Sequence, residues 1–150
     1  MSQENVERLR IALEDLISVK GEFDSDGMLT KLPDEELYDP EIEWDASEVP
    51  VLDISGVYHG IEGVRQYWRQ WSAAWQMLHF EYRLVDAGDR VVALFDHQHM
   101  RGRSTGMEVP VPKYATVSTI RDGLLVHWKL YMSQSEALEA VGLSEQDAHA

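Results

Sequence analysis

The clearest pattern in the chain is the alternation between Tyr114 and Met132. YATVSTI and LLVHWKLYM flank Arg121-Asp122-Gly123. A tight turn whose glycine takes a positive φ joins two such runs into a hairpin. Ser133-x-x-Glu136 and an apolar run come next, the spacing of a capped helix start. That helix is expected over Ser135 to Val141, stopped by Gly142. Upstream, Phe80–Asp86 alternates, Ala87-Gly88-Asp89 turns, and Arg90–Met100 reads as one long strand. A second turn, Arg101 to Gly106, leads into Met107–Pro112. Pro110 and Pro112 suit a strand start or an edge, not a central ladder.

The first half of the chain changes period. Val6, Leu9, Leu13, Leu16 and Ile17 share one helical stripe over residues 3–20, with Ser2 as N-cap and Gly21 as stop. Glu22 to Asp39 is acidic and broken by Gly27 and Pro33, and predicts short helical turns at Met28–Leu32 and Pro33–Leu37. Glu41-Ile42-Glu43-Trp44 is a short strand. Residues 45–56 form a loop long enough to close over a pocket. After Tyr58, the strongest helix carries Ile61, Val64, Trp68, Trp71, Trp75 and Leu78 on one stripe, with Tyr67 beside them. Helices followed by a meander of long antiparallel strands predict an α+β fold. A strongly curved sheet covered by helices makes a cone-shaped barrel with an interior cavity, where small ligands bind.

Composition narrows the picture. A chain of 150 residues with 44% hydrophobic content reads as one globular domain. The absence of cysteine excludes disulfides, zinc–thiolate sites and thiol nucleophiles. With no long apolar run and no hydrophobic leader, the expectation is a cytoplasmic protein with no membrane partner. The formal net charge of −14 repels phosphate backbones, so no nucleic-acid partner is expected. No glycine-rich phosphate loop is present, and no organic cofactor is expected.

His97-Gln98-His99 is the most suggestive constellation. Histidines two apart in a strand face the same way, and they share parity with Ala93 and Phe95, so the reading places them inside the cone. A neutral imidazole there would serve as a general base. As a metal pair they would need a third ligand from His59, His79, Asp45 or Glu108; no recognisable spacing supplies it, and no metal is expected. Tyr114 shares a strand face with Thr116 and Ser118, either a wet pocket wall or an exposed face. Tyr58 and Tyr114 offer phenol donors suited to a carbonyl oxygen.

The order and spacing of several segments resemble the SnoaL-like branch of the NTF2-like superfamily over nearly the whole chain. These are Asn5-Val6-x-x-Leu9-Arg10, Asp39-Pro40-Glu41-Ile42-Glu43-Trp44, Tyr58-His59-Gly60-Ile61-Glu62-Gly63-Val64-Arg65 and Ala87-Gly88-Asp89-Arg90-Val91-Val92. Arg101 to Glu108, Thr119 to Gly123 and Glu136 to Leu143 complete the set. The resemblance implies the cone fold and a homodimer through the sheet's outer face. It also implies a range of activities: polyketide cyclases, steroid isomerases, epoxide hydrolases and dehydratases, beside members without a known one. Position by position, the isomerase base falls at Trp44 and the second acid at Thr116 or Ala115. The hydrolase acid falls at Leu130, and its partners fall near Phe95 and His97. The cyclase Asp–His pair would have to come from His97 and His99, with Asp96 on the other parity.

The expected site therefore has His97, His99, Tyr114 and Thr116 as catalytic groups. A wall of Trp44, Tyr58, Trp68, Trp71, Phe95, Ser118, Trp128 and Leu130 would hold a small hydrophobic molecule. Two functions fit: acid–base chemistry on a carbonyl-containing ligand, or binding or dimerisation without catalysis.

Overall fold

The structure is a computed structural model that describes residues 4–10, 38–51, 53–144 and 146. The helical turns expected within 11–37, and the Ser2 and Gly21 caps, lie outside the described residues. Residues 4–10 are helical (α1), and Val6 and Leu9 pack against the main core. The remaining elements are β1 (Tyr38–Asp45), β2 (Val57–His59), α2 (Gly60–Ala74), β3 (Trp75–Ala87), β4 (Arg90–Gly102), β5 (Glu108–Pro110), β6 (Tyr114–Arg121), β7 (Leu124–Tyr131) and α3 (Gln134–Ala140). The strands form one seven-stranded curved sheet that does not close, in the order β2-β1-β7-β6-β4-β3, with β5 on β4. The α+β class and the meander β3-β4-β6-β7 are as the sequence pattern implies.

Local chemistry accounts for the turns and caps. Asp122 and Gly123 take φ of 53° and 80°, so a two-residue turn with both φ positive joins β6 to β7, matching the right-handed strand twist. The Ser133 side chain accepts from the Glu136 backbone N–H, as its spacing predicts. At the other end of α3, Gly142 at φ 79° lets its own N–H reach Glu139 O and the Leu143 N–H reach Leu138 O.

Two expectations are corrected. Helix α2 ends at Ala74, and Trp75 opens β3 instead of extending the helical stripe to Leu78. Strand β4 runs to Gly102 and pairs with Trp75, so the ladder takes residues that periodicity alone assigns to a helix. β1 is longer than expected and pairs parallel with β7, the one parallel contact among the described residues.

Alternation divides the sheet into two faces. Ile42, Trp44, Val91, Trp128 and Leu130 pack with Val64 and Tyr67 of α2 on one face. Val92, Leu94, Ala115 and Val117 pack with Ala137 and Leu138 of α3 on the other. The C-terminal helix thus covers the outer face, opposite the helix that closes the concave one.

Strand β4 breaks its own alternation. Phe95 opposes Tyr82 and His97 opposes Glu81, leaving Asp96 as an extra residue, a β-bulge. A one-residue bulge inverts every side chain beyond it. Ala93 and Phe95 face inward before the bulge; Gln98 and Met100 face inward after it. His97 and His99 are exposed. The expectation that both histidines face the interior is therefore corrected.

Candidate functional site

A cavity of about 320 Å³ lies between the concave face of the sheet and α2. That is the low end of the usual range for small-molecule pockets. The loop 46–56 contributes Val49, Pro50 and Val51, and the stretch after β5 contributes Val111 and Pro112. Backbone bonds brace the loop, with Ala46 N–H on Gly56 O at 2.8 Å and Ile54 N–H on Val51 O at 3.0 Å. Glu48 ties it to the end of β7 by accepting from the Met132 N–H at 3.1 Å.

All five tryptophans line this space. Trp44 and Trp128, side by side on the parallel strands β1 and β7, stack at 3.9 Å and 9°. Tyr67 of α2 sits edge-on to Trp68, Trp71 and Trp128. On the opposite wall Phe95 stacks on Tyr114 at 4.7 Å and 8°. Flat surfaces at these spacings give the cavity the shape of an aromatic cage.

One polar point interrupts the cage. The Tyr114 hydroxyl donates to Gln98 Oε1 at 2.6 Å. The phenol's single proton is thereby used, and the amide N–H groups of Gln98 are engaged by no hydrogen bond among the described residues. Gln98 itself is only 6% exposed. Thr116 lies one step further along the same wall and is also buried. Burial pushes the phenols of Tyr38, Tyr67 and Tyr114 well above the ordinary tyrosine value, so all three stay neutral. Among the described residues, no Asp, Glu, His, Lys or Arg lines the cavity.

The structure brings Trp44, Trp68, Trp71, Phe95, Trp128 and Leu130 together on the cavity wall, with Tyr114 and Thr116. It does not bring the others. His97 and His99 stand on the outer face beyond the bulge. Tyr58 stands behind Tyr67, its hydroxyl donating to Ile54 O at 2.5 Å. Ser118 is fully buried in the sheet, away from the cavity, with its hydroxyl unpartnered among the described residues. The open question about the Tyr114, Thr116 and Ser118 face is resolved as an inner face.

Strand parity that runs unbroken through Asp96 turns Gln98 outward, so alternation alone does not find it. A signal existed: Met100 is apolar at even parity, while Ala93 and Phe95 are at odd parity. Keeping all three inside requires one extra residue between them. As for metals, no group of three or more His, Cys, Asp or Glu among the described residues stands close enough to hold an ion.

The family model for the SnoaL-like domain matches residues 13–128. Among solved structures, a candidate isomerase from Bacillus subtilis superposes with a TM-score of 0.64 at 17% identity, covering 90% of this chain and 92% of that one. An NTF2-like protein from Burkholderia pseudomallei gives 0.63 at 18% identity, over 95% and 99%. A candidate SnoaL-like polyketide cyclase from Mesorhizobium loti gives 0.56 at 20% identity, over 82% and 97%. At these identities the likeness is one of fold. No curated protein matches the chain.

Proposed function

The chain belongs to the SnoaL-like domain family, and from that premise we propose that its cavity binds a neutral, flat, largely apolar small molecule carrying a carbonyl or similar acceptor. The observation that carries this reading is Gln98. Its oxygen is held by Tyr114, and its N–H donors are left for a guest inside an aromatic cage. An anionic or cationic guest would be buried without a counter-charge among the described residues, which is costly. A neutral guest with one acceptor replaces apolar hydration with ring contacts and meets the Gln98 amide.

The neighbours described as a candidate cyclase and a candidate isomerase support a second reading. A donor aimed at a carbonyl oxygen also stabilises the enolate that forms when an adjacent carbon loses a proton. In that reading Gln98 and Thr116 hold the oxygen, the outward-facing His97 and His99 take no part, and the proton passes to hydroxide or a buffer base from solvent, since no acidic or basic side chain among the described residues lines the cavity. Deuterium exchange at the α-carbon of a bound ketone, followed by NMR, separates the two. Catalysed wash-in carries the enzymatic reading; binding without exchange carries the binding module.

Intrinsic fluorescence tests the proposal, because every tryptophan lines the cavity. A bicyclic ketone should change the emission saturably with one site per chain. No saturable change with any neutral ketone contradicts the reading. The proposal includes a single cytoplasmic domain that pairs as a homodimer; sedimentation at the 17.2 kDa mass of one chain would remove the dimer.

A further inference from the structure

We infer that Gln134, acting with Asp96 and Arg83, is a positioning residue that selects which side chains of β4 face the cavity. The sequence offers two sets beyond Phe95. One is Gln98 with Met100; the other is His97 with His99. A strand without a bulge would turn the histidines inward. The extra residue at Asp96 turns the glutamine inward instead.

The bulge is held from the outer face. The Gln134 amide nitrogen lies 3.1 Å from Phe95 O, 3.3 Å from Tyr114 O and 3.3 Å from Asp96 Oδ1. Phe95 and Tyr114 are the last paired residues of the β4–β6 ladder, so the amide bridges the two strands where their own pairing stops. Asp96 is gripped in turn by Arg83, with Nε on Oδ2 at 2.7 Å and Nη2 on Oδ1 at 3.2 Å. A two-point contact of this kind fixes the carboxylate's orientation as well as its place. Gln134 is the first residue of α3, and that helix is anchored independently. Ser133 caps it, Ala137 and Leu138 are buried, and Arg90 donates to Ala140 O at 3.0 Å. The docked C-terminal helix, from the outer face, therefore decides the polarity of the cavity on the other side of the sheet. The inference rests on the cavity reading only for its consequence, that a guest meets Gln98.

The chain has no cysteine, so one introduced thiol reports on one position. His97→Cys and Gln98→Cys are made singly, each alone and combined with Gln134→Leu, and alkylation by iodoacetamide is timed. With Gln134 present, position 97 should react ~10-fold or more faster than position 98, as a surface site does relative to a buried one. With Gln134→Leu the two rates should move in opposite directions, position 97 slowing and position 98 quickening. A merely structural role would raise both rates together, and that result overturns the inference. An unchanged contrast in a folded Gln134→Leu protein overturns it too, as does equal reactivity while Gln134 is present. If Gln134→Leu does not fold, Gln134→Glu keeps the shape without the N–H donors and is read the same way. No ligand enters the measurement, so it can fail while the cavity reading stands, and the reverse.

Discussion

Gln98 and Tyr114 depend on each other in a way that single substitutions should expose. Tyr114→Phe leaves the Gln98 carbonyl without its 2.6 Å donor, which should cost about 1 kcal/mol or more of stability. Replacing both partners, with Gln98→Leu added, removes the unmet group, so the double variant should lose less than the sum of the singles. Urea midpoints for the four proteins measure the coupling, and additive losses would contradict it. Asp96 gives a second test. Arg83 holds its carboxyl below the ordinary aspartate value, against some opposing burial, and Gln134 adds to the effect. With the folded value depressed, the unfolded chain takes up the proton first as pH falls. The stabilisation is thus complete only well above the unfolded value of about 4 and is lost as pH drops through the folded value. Asp96→Asn should therefore be less stable than the natural chain at neutral pH, and the gap should narrow as the pH falls below the unfolded value. Urea midpoints across that range check it, and a gap that widens in acid would contradict the assignment. At this scale unbroken alternation back from the hairpin turn put Tyr114 and Thr116 on one strand face with Ser118 but left open whether that face was inside. Gln98 was legible only through the even parity of Met100, because the bulge that turns it inward is held by Gln134, 36 residues further along, which alternation does not see.

The elements that carry their own chemistry were the ones sequence reading recovered. The β6–β7 hairpin, the Ser133 cap and the Gly142 stop are each specified by residues within a few positions of the feature. The end of α2 and the partner of β1 are specified by strands far away in the chain, and local periodicity missed both. The hairpin yields a prediction of its own. Gly123 sits at φ 80°, and an added Cβ would also meet the Arg8 guanidinium at 3.2 Å. Gly123→Ala should lower stability by about 1 kcal/mol or more, read as a fall in melting temperature. Gly88→Ala, at φ 83° with open space around it, should lose only the conformational part and so fall less. An equal loss at the two turns would contradict a cost from the approach of Arg8 to the hairpin.

Over the described residues the molecule is a sheet with two coats, one on each face. Helix α3 seals the outer face with aliphatic contacts, while α2 and the loop 46–56 enclose aromatic surface without filling it. That architecture was legible in the order of helical and alternating segments, and the convergence of the tryptophans followed from it. What a guest of the proposed kind would meet was less legible, since it depends on one amide whose direction only the parity of Met100 records. Calorimetric titration of α-tetralone and of tetralin, its hydrocarbon counterpart, tests this most directly. The account predicts that the ketone binds about tenfold more tightly, the ~1.4 kcal/mol of one hydrogen bond. It predicts that Gln98→Leu erases that preference while leaving hydrocarbon binding intact. Equal binding of the two compounds by the natural chain, or none of either, would contradict it.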